Sequence, residues 1–514
     1  IGWNGFRVLW LLTLAVYGCG GGGGGGGDPV TASPVAVAQA SLSIANPDDE
    51  VSLDGSGSTD ADGEIVSYKW IQTQGTGVSL SDAETSLARF QAPVTEAREE
   101  LVFSLTVADD DGNEGTSSVA VTVNARPSAD AGADQFGYEQ SAVALYATDA
   151  DSDGSVEYRR WEQIAGTDVG QLEGQDTASL RFTTPAGTGV LTFRYTVTDD
   201  DGAQRSDTVS VYVSRIRFFD SFSDDGNWIT VNENPDPGTF PAQWQVEAVS
   251  GRYVQQNNVE RRSLDESYHL GTFAYLDESV LDSSAAFRFS VEITPLANNN
   301  GDDREGNDVG IMFPYASTGS GRYYRLTMNA RYGYTRLEKW DGSAFSTLSV
   351  NSIGYEEEGV TFTMTVEVNG DTIMAFIDGE PVFAASNQVI YPGTVALYCQ
   401  DKAGFDNVII ADNSLQPMIA VSSPVAYSVP LVAGGGDAIS AEAVTLNAPA
   451  GAGVVFNLDD GGDTPASAMG NLYTAQLSVS TGEHEIAAVL KSADGQHLSS
   501  DTNMMVGVGG DHYI

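Results

Sequence analysis

Short runs of alternating apolar and polar residues, separated by clusters of Asp, Gly and Ser, make up most of the chain. Leu101-Val102-Phe103-Ser104-Leu105-Thr106-Val107 puts every second residue on one face, the period of a strand with one side buried and one side wet. Val119 to Val123 and Val209 to Val213 read the same way. Beyond Ile216 the runs lengthen and spread: Phe287 to Pro295, Asp308 to Tyr315, Arg322 to Ala330, Tyr334 to Trp340, Thr361 to Asn369, Thr372 to Asp378 and Thr394 to Tyr398. Val368-Asn369-Gly370-Asp371 is a hairpin turn between two of them. About 195 residues pass there without a convincing helical period. The expected fold class is all-β.

The pattern repeats with a period of about 90 residues. Tyr68-Lys69-Trp70-Ile71-Gln72 corresponds to Arg159-Arg160-Trp161-Glu162-Gln163, and Phe90-Gln91-Ala92-Pro93 to Phe182-Thr183-Thr184-Pro185. Leu105-Thr106-Val107-Ala108-Asp109-Asp110-Asp111-Gly112 corresponds to Tyr195-Thr196-Val197-Thr198-Asp199-Asp200-Asp201-Gly202. Each repeat reads as an immunoglobulin-like sandwich of about seven strands, with Trp70 and Trp161 in the core. These residues resemble the PKD-type domains, specifically the variant with Trp-x-Gln and a terminal Thr-Val-x-Asp-x-x-Gly hairpin. The resemblance spans about Val35 to Val213, lacks the Trp-Asp-Phe-Gly-Asp-Gly motif of other members, and implies a spacer or adhesion module.

The central segment resembles the concanavalin A-like lectin/glucanase superfamily in its laminin-G-like form. The resemblance rests on Phe218-Phe219-Asp220-Ser221-Phe222 with Trp228, on Tyr323-Tyr324-Arg325-Leu326, and on Gly393 to Tyr398 with Gly404-Phe405-Asp406-Asn407-Val408. It implies a two-sheet jelly roll. Some relatives hydrolyse glucans with paired carboxylates in a Glu-x-Asp-x-x-Glu strand; that motif is missing, and Val291-Glu292-Ile293-Thr294 offers one carboxylate. A binder is expected rather than a glycosidase, with Tyr323, Tyr332, Tyr334 and Trp340 as stacking aromatics and Asn300, Asp302 and Asp308 as polar partners for glycan hydroxyls. About half of these aromatics are expected inside. The remaining segment, with strands near Ala443 to Leu446, Gly453 to Leu458, Leu472 to Val479 and Glu483 to Leu490, fits a small immunoglobulin-like or fibronectin-like unit.

Asp and Glu outnumber Lys and Arg by 71 to 24, and the net charge of −47 excludes nucleic acid and anionic membrane surfaces as partners. The acidic residues fall in turns, where Asx-type turns exposed to water account for most of them. In an immunoglobulin-like strand order, Asp60 and Asp62 emerge beside Asp109 and Asp111, and Asp149, Asp151 and Asp153 beside Asp199 and Asp201. Calcium, with its flexible oxygen coordination, is the cofactor such loops could hold. Asp149-Ala150-Asp151-Ser152-Asp153-Gly154 opens like an EF-hand, but Arg160 at position 12 and the lack of flanking helices reject it.

Cys19 and Cys399 are the only cysteines, so there is no disulfide framework. Arg7 and the apolar run Val8 to Tyr17 read as a signal peptide. Val16-Tyr17-Gly18-Cys19 then resembles the lipobox of bacterial lipoproteins, which implies export, lipidation of Cys19 and a place on the outer membrane or cell surface. Gly20 to Gly27 form a tether with about 15 Å of reach. Cys399 reads as a buried small hydrophobe, and surface positions are expected for His269, His484, His497 and His512. The expected divisions are signal peptide and lipobox 1–19, tether 20–34, PKD-like domains 35–125 and 126–215, jelly roll 216–412 and a last sandwich 413–510. No Gly-x-Ser-x-Gly elbow, zinc helix, Walker loop or dinucleotide fingerprint occurs. The first residue, Ile1, and the final Val506 to Ile514 read as the ends of a fragment, the latter resembling the entry strand of SGNH-type esterases without its Gly-Asp-Ser block. The expected function is surface adhesion and glycan or polysaccharide binding; the alternative is the stalk of an SGNH-type hydrolase.

Overall fold

The computed structural model describes residues 32–232, 242–256, 271–278, 286–296, 308–315, 321–329, 333–354, 359–386, 388–400, 402–423, 438–478 and 482–507. Cys19, Asn300, Asp302, Tyr332, His269 and His512 lie outside them. The described chain is all-β. It falls into two compact units, one holding the chain up to Ser128 with Ala150–Glu157 and Val197–Arg205, the other holding the rest.

The first unit is built on a sandwich. Gln39–Ala40, Glu50–Asp54 and Leu87–Gln91 form one sheet; Ile44–Ala45, Glu114–Val123, Glu99–Asp109 and Ile65–Gln74 form the other, in that order. The alternation is obeyed: Leu101, Phe103, Leu105 and Val107 are fully buried, while Val102, Ser104 and Thr106 are half-buried. Trp70 sits in the core with Val51, Leu53 and Phe90. The entering strand Ile44–Ala45 pairs in parallel with Thr122 and Val123 at the end of the sandwich. The hairpin after Asp109 turns on Gly112 at φ +87°, which a side chain rarely adopts. Asp109 Oδ1 accepts hydrogen bonds from the backbone N–H groups of Asp111 and Asn113 at 3.0 and 2.7 Å, which stitches the turn.

The second repeat uses the same devices. Phe182 packs on Phe193 with ring centroids 4.6 Å apart, as Phe90 packs on Phe103 at 4.6 Å. Trp161 is fully buried against Tyr195, and its indole N–H donates to the Thr177 carbonyl at 3.1 Å. Gln135–Tyr138 pairs in parallel with Val211 to Ser214.

The central sandwich has a seven-stranded front sheet and an eight-stranded back sheet. The front order is Trp228–Asn232, Thr272–Leu276, Thr394–Cys399, Asp308–Tyr315, Tyr323–Asn329, Tyr334–Trp340, Phe345–Asn351. The late strands Thr394–Cys399 and Ala403–Ala411 lie within the two sheets, so the chain closes by filling both. Phe289, Val291, Ile311, Leu326, Leu337, Val366, Leu397 and Cys399 are among the side chains that fill the space between. The last sandwich carries the order Met418–Ser423, Ala438–Leu446, Leu472–Ser478, Ser467–Met469 on one sheet and Thr464–Pro465, Gly453–Leu458, Gly482–Lys491, His497–Gly507 on the other. This is an immunoglobulin-like strand order. His484 departs from its expected surface position: it is buried, with Nδ1 2.6 Å from Asp459 Oδ2.

In this second unit the outer face of the back sheet is occupied by neighbours. Met374, Phe376 and Ala384 pack against Met418, Ala420, Val444 and Leu446 of the last sandwich. Glu367, without solvent exposure, pairs with Arg288 at 2.9 Å and accepts from Ser414 N and Oγ at 2.6 and 2.7 Å. The Arg288 guanidinium lies 4.3 Å from the centroid of Phe136, a residue of the second repeat. Arg217 and Thr188 meet on Asp412.

Two outcomes test this packing. Glu367→Gln strands the Arg288 charge in a buried joint and should lower unfolding free energy by about 3–5 kcal/mol, seen as an earlier denaturant midpoint of the second unit. Trp161→Ala should cost about 3–5 kcal/mol, whereas Arg160→Ala, at the solvated position beside it, should change the midpoint little.

Candidate functional site on the front sheet

Alternate residues of each front strand point away from the sandwich core, and these collect an unusual set of side chains. Register places Tyr323 beside Trp340, and Trp340 beside Phe345. A register shift between Met312 and Tyr315 accompanies the placement of Tyr315 with Phe273, Tyr323 and Tyr398 in the outer cluster. The rings run edge to edge across the sheet: Tyr275 to Tyr315 at 5.3 Å, Tyr315 to Tyr323 at 6.0 Å, Tyr323 to Phe345 at 6.1 Å and Phe345 to Trp340 at 4.8 Å. Tyr323 is buried, whereas Tyr275, Tyr315, Trp340 and Phe345 are half-buried.

Beside this row lies a charged network. Arg325, fully buried, pairs with Glu338 at 2.9 Å and is sandwiched by the rings of Phe345 and Tyr398, 4.5 and 4.6 Å from its guanidinium carbon. Burial works against its charge, but Tyr398, Glu338, Tyr323 and Asp308 outweigh this and hold its pKa above the ordinary value. Arg336 bridges Asp308 and Glu338, each at 3.2 Å. Asp308 Oδ1 accepts from Tyr334 Oη at 2.6 Å and Asn329 Nδ2 at 2.7 Å. Burial, then the Asp308 charge, raises the Tyr334 hydroxyl above its usual range, so it stays a donor. Each carboxylate is thus committed to an arginine, and the network is fixed from within.

Two hydroxyls in this face are buried with no hydrogen-bond partner, Thr327 Oγ1 and Thr394 Oγ1. Thr327 lies in register between Gly310 and Arg336. A Cβ at Gly310 would fall 1.9 Å from the Leu326 carbonyl oxygen, so the strand carries glycine there and leaves the outer face bare at that point. The arrangement offers flat apolar rings, a bare floor and unsatisfied hydroxyls beside a rigid polar wall. It suits a ligand that presents both an apolar face and hydroxyl groups.

Of the residues expected to bind glycan, Tyr323, Tyr334, Trp340 and Asp308 come together here. Asp308 opens a strand, buried and paired, rather than sitting in a polar loop. Arg325, Arg336, Glu338, Tyr275, Tyr315, Phe345 and Tyr398 were missed by sequence reasoning. The signal for the first three was opposite charge at facing positions of strands that are otherwise apolar, Tyr323-Tyr324-Arg325 against Arg336-Leu337-Glu338.

The acidic loops converge as expected: an ideal Cβ on Gly63 would meet Asp110 Oδ1 and Asp60 Oδ2, and one on Gly154 would meet Asp200 Oδ1 and Asp151 Oδ2. Asp199 Oδ1 accepts from Asp201 N and Ala203 N, repeating the stitch at Asp109. Asp149 is engaged otherwise, by both Arg159 nitrogens at 2.9 and 2.7 Å and by the Tyr195 hydroxyl. Burial pushes its carboxyl up, but the Arg159 and Tyr195 hydrogen bonds prevail and hold it below the usual range. Among the described residues no group of three acidic, His or Cys side chains is set to hold a metal ion. These loops therefore do not fit calcium as they stand.

Comparison with known proteins bears on the repeats and the sandwich. The Dyslexia-associated protein KIAA0319 homolog of Mus musculus is 31% identical over 182 residues, 34% of this chain but 16% of its own length, so the chain spans about a sixth of that relative. The solution structure of the PKD domain from the KIAA 1837 protein is 34% identical, covering 19% of this chain and 93% of that one, with a TM-score of 0.16. The carbohydrate binding module CBM66 from Bacillus subtilis is 17% identical, covering 36% of this chain and 96% of that one, with a TM-score of 0.28. Residues 38–123 and 131–213 each match a family described as a PKD domain of the KIAA0319-like type, and the two repeats are PKD domains.

Proposed function

We propose that the chain is a surface-displayed modular binder, in which the PKD domains act as spacers and the outer face of the front sheet holds a glycan. The observation that carries this reading is the row of half-buried rings from Tyr275 to Trp340 beside the unsatisfied Thr327 hydroxyl. Pyranose rings have an apolar face for stacking and equatorial hydroxyls for such groups. The back sheet is taken up by neighbouring modules, which leaves the front sheet as the large face for a ligand. Display rests on the signal-peptide pattern and on the lipobox at Cys19.

A glycan array probed with the full chain should return a restricted set of ligands. For the best of them, Trp340→Ala and Tyr315→Ala should each weaken binding about tenfold or more, worth about 1.4 kcal/mol or more, with the melting transition kept. Array silence, or variants that bind as well as the parent, would remove the glycan reading. In a bacterial host, Cys19→Ala should abolish incorporation of a labelled fatty acid and release the chain from membranes.

A further inference from the structure

The first unit contains the same acidic loop pair in two electrostatic situations. Around Gly63, Glu64 N donates to Asp110 Oδ1 at 3.0 Å and Ala32 N to the Asp62 carboxylate at 3.0 Å. Around Gly154, Ser155 N donates to Asp200 Oδ1 at 2.6 Å and Ala125 N to Asp153 Oδ2 at 3.3 Å. The backbone bonds correspond one for one, so Asp62 and Asp111 are the counterparts of Asp153 and Asp201.

The later pair is filled. Arg98 spans it, with Nη2 3.0 Å from Asp201 and Nη1 3.6 Å from Asp153. Asn124 Nδ2 donates to Asp199 Oδ2 and Asn46 Nδ2 to the Asp201 carbonyl, both at 3.0 Å. The earlier pair has no such occupant: no Lys, Arg or His among the described residues forms an ion pair with Asp62 or Asp111. Desolvation, then Asp110, Asp109, Asp62 and Asp60, raises the Asp111 carboxyl above its ordinary range, the mark of charge gathered without a counterion.

We propose that the Asp62–Asp111 face of the first PKD domain is a socket for an arginine side chain of a partner protein, the part that Arg98 plays for Asp153 and Asp201. Arginine is favoured over lysine because a planar fork can reach two carboxylates at once. A metal ion is disfavoured because no three ligating side chains close on one point among the described residues. The net charge of −47 favours a basic partner surface in the same sense.

Hydrogen exchange on the full chain tests this, with arginine amide, lysine amide and calcium chloride as probes at matched ionic strength. Arginine amide, at or above twice its Kd, should slow exchange about threefold or more in loops 60–64 and 109–113, with loops 151–155 and 199–203 unmoved. Arg98→Ala empties the later socket and should make those loops respond as well, an internal rescue of the same chemistry. Asp62→Asn with Asp111→Asn should remove the first response and, in the Arg98→Ala background, spare the second. The proposal is overturned if lysine amide acts equally, if calcium alone gives the protection, or if the later loops respond in Arg98→Ala while the earlier ones never do.

Discussion

Glu367 is a carboxylate cut off from water, and its need for partners organises the second unit. One oxygen takes the Arg288 guanidinium and the other takes the backbone and hydroxyl of Ser414, the residue that leads into the last sandwich. Arg288 in turn faces Phe136 of the second repeat. A buried charge can be held only if it is paired and hydrogen-bonded, so modules at either side of the jelly roll are tied to a single residue of its back sheet. The apolar contact of Met374 and Phe376 with Met418 and Leu446 then has a fixed place to form.

With the back sheet committed, the front sheet is left to carry a different kind of interior. Its inward residues build the common core, while its outward residues combine rings with paired Arg and Glu side chains. Such a network adds little to stability compared with apolar packing, and its value lies in holding side chains in one arrangement. Asp308, Arg336, Glu338 and Arg325 form one connected chain of ion pairs. The rings that flank it are thereby set on a surface that does not need to reorganise to meet a ligand.

Strand alternation made most of the fold legible: Leu101 to Val107 and Phe287 to Pro295 carry their burial pattern in plain view. The duplicated Trp and the Asp-Asp-Asp-Gly turns told of two like sandwiches. The strands that went unnamed, such as Tyr253–Gln255, Phe345–Asn351 and Glu380–Ala385, are short or mix polar residues into both faces. Only their neighbours in the sheet give them a role. The site was half legible for the same reason. Aromatics in Tyr323 to Trp340 could be named, but which of them line an outer face depends on register across the sheet, and so does the pairing of Arg325 with Glu338. Likewise, a run of aspartates cannot disclose that Arg98, more than fifty residues away in sequence from Asp153, is its counterion.

Each PKD domain begins with a strand that runs parallel to its last one, Ile44–Ala45 beside Thr122 and Val123, and Gln135–Tyr138 beside Val211 to Ser214. Tension applied along the chain pulls such a pair in opposite directions along their shared axis. The hydrogen bonds between them are then loaded together in shear, rather than opened one after another as in a hairpin peeled from its end. The repeats are thus arranged as mechanical links as well as spacers.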